Sequence, residues 1–556
     1  MTEPDPRGRE RFPRFDDGYR QRWIEKGLWA DTTLHAVFDE TVAQYGDQVA
    51  IMTKDSTITF GEWKERADAL AAGLLAAGVR PRQLMSVQLP NWPEMCELQI
   101  ALSRINVVIQ PMHLVYRERE IANMLRFCDA DAVVVPGSFE GFDYASAVRA
   151  LRPELPDLRL LAVARGEAKG DGEKGFEELI EEGRANLDLL EQVEVDPDDV
   201  FYMNFTSGTE GAPKGFMHSH NTLISMMKLM GQFMRMSAPD TVTLAMSPMT
   251  HSFGHFTTYQ TVASGLPMVL VDRYSPTEVL ELVQQARVTS LSGTPAHLFG
   301  LLHHPDFEKY DTSSITQVGA GGARSSPELL DELERVWGVK TGNTYGLGEN
   351  IVHTRTNPAD PPEKQRSSVG RPIPVAELKI VDPEDRSVER PAGEVGEIAY
   401  RGPTLCVGYY KLPDKTAATR DAEGWFYTGD LGYVDDEGFL YFAGRGKEVI
   451  NRGGTKIFPK EIEDLLDAHP KVAEAAVVGM PDVRLGEKVC AYVVAVDGQS
   501  VGREEINAFL GDQKVMKHKL IEHLIVVDEL PMTPTGKVRK AALQDDAARR
   551  AGQASQ

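Results

Sequence analysis

Cysteine is scarce. Cys96, Cys128, Cys406 and Cys490 are the only four in 556 residues. They lie far apart, and no two form a C-x-x-C pair. That spacing matches neither a structural zinc site nor a disulfide framework, and it predicts reduced core thiols. Long apolar runs are missing as well. None approaches the roughly 20 residues that cross a bilayer. The first residues, MTEPDPRGRERFPRF, lack the apolar stretch of a secretory signal, so a cytoplasmic protein with no membrane partner is expected. Positive charge is in deficit, with a net charge of −23 and a pI near 5.1. Binders of the nucleic-acid backbone carry a basic face, so nucleic acid is not expected as a partner. The acidity does not exclude small anions, because a few lysines in a pocket still hold a phosphate.

What remains is ordinary for a soluble globular chain: 42% apolar and 26% charged residues, enough to build a sizeable core and to exclude disorder. From Thr33 to about Asp199, helical stretches alternate with short apolar runs. Residues 64–78 read as an amphipathic helix stopped by Gly78. A strand is expected at 83–90, a helix near 93–105 and a buried parallel strand at 132–136. The alternation resumes after Val200, with strands at 241–246, 267–271, 287–292, 315–318 and 338–341 and helices such as 276–286 and 325–336. This pattern predicts doubly wound parallel sheets with clefts at their carboxyl ends.

Residues 366–444 turn to short β-segments with Gly and Pro turns, consistent with a small β-barrel. After Gly446 helix 459–468, strands 473–479 and 488–496, helix 503–512 and strand 522–528 form a compact α+β unit. The expected organisation is therefore an α/β protein. Its large N-terminal domain, 1–446, has two doubly wound sheets plus a barrel-like part. A small mobile α+β domain follows at 447–556. The polar tail from about Ala547 is expected to fray.

Five segments carry chemistry. Phe205–Thr–Ser–Gly–Thr–Glu–Gly–Ala–Pro–Lys–Gly215 follows a strand-like run. Its small residues and hydroxyls can wrap a phosphate while Lys214 adds charge. It is not a Walker A loop, since Pro213 replaces the second glycine and Gly215 the Ser/Thr. A plain surface turn explains the same composition equally well. Residues 318–323 (VGAGGA) bring backbone close to something flat, and fail as a dinucleotide fingerprint because Arg324 stands at the third glycine. In Asn343–Thr–Tyr–Gly–Leu–Gly–Glu349 an aromatic neighbours a carboxylate, which suits base stacking and Mg²⁺. In isolation, Tyr345 reads better as a core aromatic and Glu349 as a solvated surface charge. Trp425–Phe–Tyr–Thr–Gly–Asp430 and Gly444–Arg–Gly–Lys447 place an Asp in a tight turn, where it can accept from ribose hydroxyls or simply form the turn. Finally, Leu530–Pro–Met–Thr–Pro–Thr–Gly–Lys537 sets a lysine on a stiffened loop.

Taken together in this order, the five segments resemble the adenylate-forming superfamily of acyl-CoA synthetases, carrier-protein adenylation domains and luciferases, from about residue 33 to 540. The resemblance implies an acyl-CoA synthetase that joins a carboxylic acid to coenzyme A through acyl-AMP, using ATP and Mg²⁺. It assigns Thr206, Ser207, Gly208, Thr209 and Lys214 to the loop holding the ATP phosphates, and His251, in Pro248–Met–Thr–His251, to the acyl pocket. Gly321, Gly322, Ala323 and Tyr345 line the adenine site, with Asn343, Thr344 and Gly346 beside them. Glu349 ligates Mg²⁺, and Asp430 and Arg445 hold the ribose. Lys447 is the hinge, followed by cofactor-binding Gly453 and Gly454. Lys537 contacts the carboxylate and the α-phosphate. An anion must attack an anion, so cations have to neutralise the developing charge. The family's small domain then rotates and lets the CoA thiol reach the activated carbonyl.

Two positions depart from the family pattern. Gly348 replaces the usual Thr or Ser and removes a donor worth about 1 kcal/mol. Glu210 stands where the family usually has Thr and less often Glu, and a carboxylate facing a triphosphate costs roughly 1–3 kcal/mol per opposing charge. Both weaken the ATP half, which raises the alternative of an enzyme that chiefly transfers a preformed acyl-AMP supplied by a separate adenylating enzyme. Retention of Lys537 favours the complete two-step enzyme. Two further alternatives are carrier-protein loading, suggested by Tyr19–Arg–Gln–Arg–Trp23 and Gly27–Leu–Trp29, and a non-catalytic nucleotide-binding paralogue. Gly319, Ala320 and Gly321 leave room at the pocket floor, which predicts a bulky, cyclic or medium-to-long acid. A monomer or homodimer is expected.

Overall fold

The computed structural model describes residues 11–206, 213–225, 227–228, 239–322, 325–453, 455–513, 515–533 and 537–554. The chain divides into two compact units. One comprises residues 1–208, 212–376 and 401–424, the other mainly 377–400 and 425–556.

The first unit is built on two sheets. The eight-stranded sheet runs Gly408–Tyr409, Lys214–Ser219, Val200–Thr206, Val108–Pro111, Leu84–Val87, Ala132–Pro136, Leu160–Ala164 and Glu173–Gly175. Its last six strands are parallel, and the first two join antiparallel at the edge. Strands Leu84–Val87, Val108–Pro111, Ala132–Pro136 and Leu160–Ala164 are buried at every position, as expected where helices cover both faces of a parallel sheet. The six-stranded sheet runs Gln317–Ala320, Ser290–Gly293, Thr243–Ala245, Met268–Val269, Val49–Met52 and Thr57–Thr59. Only its last pair is antiparallel.

Helix Phe60–Ala76 shows how local signals set the bounds. Thr59 and Glu62 form a capping box at its start, and Gly78, at φ +96°, lies just beyond its end. Its Gly73 packs on helix Phe176–Arg184 so closely that a Cβ there would stand 1.9 Å from the Leu179 carbonyl oxygen.

The second unit holds a four-stranded sheet, Glu377–Val381, Gly396–Arg401, Phe426–Val434 and Leu440–Arg445. It also holds a five-stranded sheet in which Val472–Asp482 and Gly486–Ala495 form a long antiparallel ladder.

Two expectations are corrected and one is drawn more finely. Over 366–444 the described residues include a four-stranded sheet, while residues 401–424 belong to the first unit, where Gly408–Tyr409 pairs with Lys214–Ser219. Residues 338–341 form no strand. Gly338 caps a helix in the left-handed region, and the Thr341 hydroxyl, donating to the Val318 carbonyl at 2.7 Å, is the tie to the neighbouring strand. The tail does not fray at Ala547: helix Lys540–Ala554 continues through it, because Leu543 and Ala547 are buried against Val478, Met480 and Tyr492. All four cysteines are buried and free. No helix among the described residues is long and apolar enough to cross a membrane.

Candidate active site

Strand Val200–Thr206 returns as Lys214–Ser219 with Thr206 paired to Lys214, so the two ends of the phosphate-loop segment stand side by side. Ser207, Gly208, Thr209 and Glu210 lie outside the described residues. Gly215 has a steric reason: a Cβ there would meet the Phe205 ring at 2.7 Å.

The segment bearing Glu349 is held from several sides in the first unit. Strand Thr344–Tyr345 pairs with Thr354–Arg355, and the intervening turn is tight enough that a Cβ on Gly346 would lie 2.0 Å from the Ile351 carbonyl oxygen. Gly348 faces the Phe216 ring, whose Cε1 would be 2.3 Å from an added Cβ. The Gly348 carbonyl accepts from His218 Nε2 at 2.8 Å. A carbonyl can only accept, so this nitrogen carries the proton. Burial holds the His218 imidazole neutral, down at about 4. Glu349 is only 7% exposed, so it is not the solvated charge its sequence context allowed. Its carboxylate accepts from the Tyr409 hydroxyl at 2.8 Å, and its carbonyl accepts from the Cys406 amide at 2.6 Å. Burial, and then the Glu349 charge, push the Tyr409 phenol far up, so it keeps its proton as a donor.

Around the expected adenine and acyl positions the packing is close. The Gly321 amide donates to the Gly293 carbonyl at 3.1 Å, and a Cβ on Gly321 would come 3.1 Å from the Phe253 ring. Gly322 sits at φ +83°; Ala323 is outside the described residues. The room that the small residues imply is thus partly taken by Phe253. His251 caps helix Ser252–Ser264, with its Nδ1 accepting from the Phe253 amide at 3.3 Å, and stacks with His113 at 6.1 Å. Tyr345 is buried, 4.9 Å from the His353 ring, while Thr344 is exposed. Asn343 is buried with its amide engaged by the chain: Oδ1 accepts from the Ser325 amide at 2.9 Å, and Nδ2 faces the Gln365 and Ser368 carbonyls.

In the second unit, Asp430 and Arg445 lie directly opposite on antiparallel strands, with Arg445 Nε 3.6 Å from Asp430 Oδ1. Gly429 takes φ +73°, and its amide donates to Glu397 at 3.0 Å. That carboxylate is itself held by Arg386 at 2.9 Å. The Lys537 amide donates to the Thr533 hydroxyl at 3.0 Å. The residue is exposed overall. Desolvation around its ammonium, and then the positive charge of Arg445, hold it below the ordinary lysine value, with Asp430 opposing. Lys447 is exposed in the short turn Gly446–Glu448. Gly453 sits at φ +58° and donates to the Leu485 carbonyl at 2.7 Å; Gly454 lies outside the described residues. Sequence reasoning missed Tyr409, Phe216, His218 and Phe253. The only signal for Tyr409 was an aromatic pair after Gly408.

Comparison with known proteins identifies the family. The AMP-binding enzyme family model matches residues 38–410, and the AMP-binding enzyme C-terminal domain model matches 461–537. A medium-chain fatty-acid–CoA ligase from Escherichia coli (strain K12) is 31% identical over 540 residues, 96% of this chain and 94% of its own. A 2,3-dihydroxybenzoate-AMP ligase from Bacillus subtilis (strain 168) is 31% identical over 541 residues, 96% and 97% of the two chains. ATP-bound MatB from Rhodopseudomonas palustris shares the fold at a TM-score of 0.82 and 27% identity, covering 93% of this chain and 99% of that one. With a family model spanning most of its length and such relatives along nearly all of it, the chain belongs to the family of AMP-binding enzymes.

Proposed function

We propose that this protein is an AMP-forming acid–CoA ligase. It activates a carboxylic acid with ATP to acyl-AMP and pyrophosphate, then passes the acyl group to the thiol of coenzyme A with release of AMP. The observation that carries the reading is the placement of Lys537 in the field of the Asp430–Arg445 pair. A ribose-holding carboxylate and a cation for the α-phosphate are then supplied by one unit.

The roles follow from the chemistry. Thr206 and Lys214 end the segment that carries the phosphate loop, and Lys214 holds the leaving pyrophosphate. Lys537 neutralises charge as the carboxylate oxygen attacks the α-phosphorus. Asp430 accepts from the ribose hydroxyls, with Arg445 fixing its carboxylate. Tyr345 and the backbone at Gly321 and Gly322 flank the base, and His251 borders the acyl group. Lys447 is the proposed hinge. Glu349 suits a metal that arrives with the nucleotide: it is a buried hard carboxylate with one oxygen engaged by Tyr409. A Mg²⁺ that arrives with the nucleotide would be held through this one carboxylate plus phosphates and water. When bound, Mg²⁺ supplies neutralisation of phosphate charge.

For the acid we propose a cyclic or medium-chain carboxylate, since Phe253 lies against Gly321 and narrows the floor that small residues alone would leave open. The test compares thioester formation from two starting points across a panel of such acids: acid, ATP, Mg²⁺ and CoA, or synthetic acyl-AMP and CoA. Product from both is expected. Product from acyl-AMP alone would replace this reading with a transferase that depends on a separate adenylating enzyme. No product from either would refute the ligase reading.

A further inference from the structure

The chain leaves the second unit at residue 401 and returns at 425, and this excursion contacts Glu349 twice. Gly408–Tyr409 pairs with Lys214–Ser219, with Tyr409 opposite Phe216, the ring that fills the space beside Gly348. From there the Tyr409 hydroxyl donates to Glu349 Oε1 at 2.8 Å, and the Cys406 amide of the same excursion donates to the Glu349 carbonyl at 2.6 Å. Both the carboxylate and the backbone of Glu349 are therefore held by one short stretch of chain. Tyr409 and Glu349 are each buried, where a hydrogen bond to a carboxylate is stronger than in water.

The excursion is itself strapped down by the N-terminal segment. The Tyr19 hydroxyl donates to the Gly402 carbonyl at 3.0 Å, and Trp29 Nε1 donates to the Pro403 carbonyl at 2.8 Å. Arg420 lies over the Phe15 and Tyr19 rings at 5.0 and 5.6 Å and donates to the Cys406 carbonyl. The Tyr409 amide is tied to the Thr416 hydroxyl at 2.9 Å. These ties leave the phenol little freedom to move away from the carboxylate.

We propose that Tyr409 is a positioning residue for adenylation. Its hydroxyl occupies one oxygen of Glu349 and leaves the other as a single ligand for the metal that accompanies ATP, while the aromatic–arginine strap sets where that hydroxyl stands. This rests on the ligase reading above. The thioester half-reaction from acyl-AMP involves no triphosphate and so does not depend on Tyr409.

The test is Tyr409→Phe, which removes one oxygen and keeps the ring. Binding of Mn²⁺ to the full-length protein with a non-hydrolysable ATP analogue is followed by electron paramagnetic resonance, and the two half-reactions are assayed separately. Removing an outer-shell partner of a metal ligand typically weakens metal affinity roughly 10- to 100-fold, and a loss in that range is expected for Mn²⁺. The Mg²⁺ concentration needed for pyrophosphate release should rise in parallel, while thioester formation from acyl-AMP stays within about twofold. In a Glu349→Gln background, Tyr409→Phe should change Mn²⁺ binding no further, because the two act as one unit. Unchanged Mn²⁺ affinity, an equal loss in both half-reactions, or additive effects in the double variant would each overturn the proposal. Should Tyr409→Phe fail to fold, Trp29→Phe removes a strap donor remote from Glu349, and the same Mn²⁺ measurement must show a smaller loss. If the wild-type protein makes no thioester at all, the ligase reading fails, while the Mn²⁺ titration still judges Tyr409.

Discussion

The residues around Glu349 and those around Lys537 are placed by different physics. In the first unit Glu349 is set by packing and neutral donors: the Phe216 ring against Gly348, the His218 imidazole, the Tyr409 hydroxyl and the Cys406 amide. In the second unit a hairpin register sets Asp430 opposite Arg445 as a charged pair, and Lys537 stands near enough to feel both charges. A site held by packing is intolerant of size and indifferent to salt. A site held by charge is the reverse. The first unit also encloses neutral imidazoles at His218, His255 and His353.

The largest expected effect tests the charged half. Lys537→Ala should slow formation of acyl-AMP by roughly 10²- to 10³-fold, the usual loss of one preorganised charge-stabilising group. Transfer from synthetic acyl-AMP to CoA should change only a few-fold. Equal losses in the two assays would show that Lys537 holds the unit together and is not confined to the first step.

Acid separates the two units next. Burial holds His218 at about 4 and His255 and His353 at about 3, whereas a free imidazole titrates at 6.5. The unfolded chain therefore binds more protons over that interval. The stability these groups contribute is fully present above pH 6.5 and is lost as pH falls towards 4, by about 3 kcal/mol for an imidazole such as His218. In the second unit the carboxylates of Asp482 and Asp546 are held down at about 2, first by Lys488 and Arg550 respectively, and their contribution is lost only below about pH 4. Hydrogen exchange read peptide by peptide from pH 7 to 4 should show the first unit loosening first. The opposite order would break the comparison.

A smaller effect comes from size. Gly348→Thr restores the hydroxyl that the family usually carries, yet its Cβ collides with Phe216. We expect about 1–3 kcal/mol of destabilisation, typical of overpacking, seen as a lower melting temperature, with slower adenylation. An unchanged melting temperature with faster adenylation would show that the missing hydroxyl is what limits the enzyme. Smallest of all, Lys456→Ala removes an exposed ion pair with Glu384 in the second unit and should change unfolding free energy by less than about 1 kcal/mol. A larger change in denaturant titration would mean that surface charge carries more of that unit than its exposure suggests.

Much of this was readable from the chain alone. The helix expected over 64–78 and found at Phe60–Ala76, the buried strand Ala132–Pro136 and the alternation that makes doubly wound sheets follow from apolar periodicity and glycine stops, which act within a few residues. The five motifs could be recognised as short segments of particular side chains, and the resemblance to a family joined them where no one of them sufficed. The fate of 401–424 was not readable: whether that stretch closes a barrel or joins the edge of another sheet depends on partners far away in sequence. Nor was the helical tail, whose polar composition conceals the two apolar residues that dock it.

The candidate site divides in the same way. Its residue types are local facts, so Lys214, Glu349, Asp430, Arg445 and Lys537 could be named before any coordinates. Their surroundings are contacts across long separations: 60 residues from Tyr409 to Glu349, 130 from His218 to Gly348, 383 from Tyr19 to Gly402. The sequence by itself determined the class of fold and which chemical groups are available. Tertiary structure alone decided that Gly348 is a fit to Phe216 and that Glu349 is buried against a tyrosine. Periodicity and motif spacing encode only near neighbours, while burial and hydrogen-bond partnership are settled when distant segments pack.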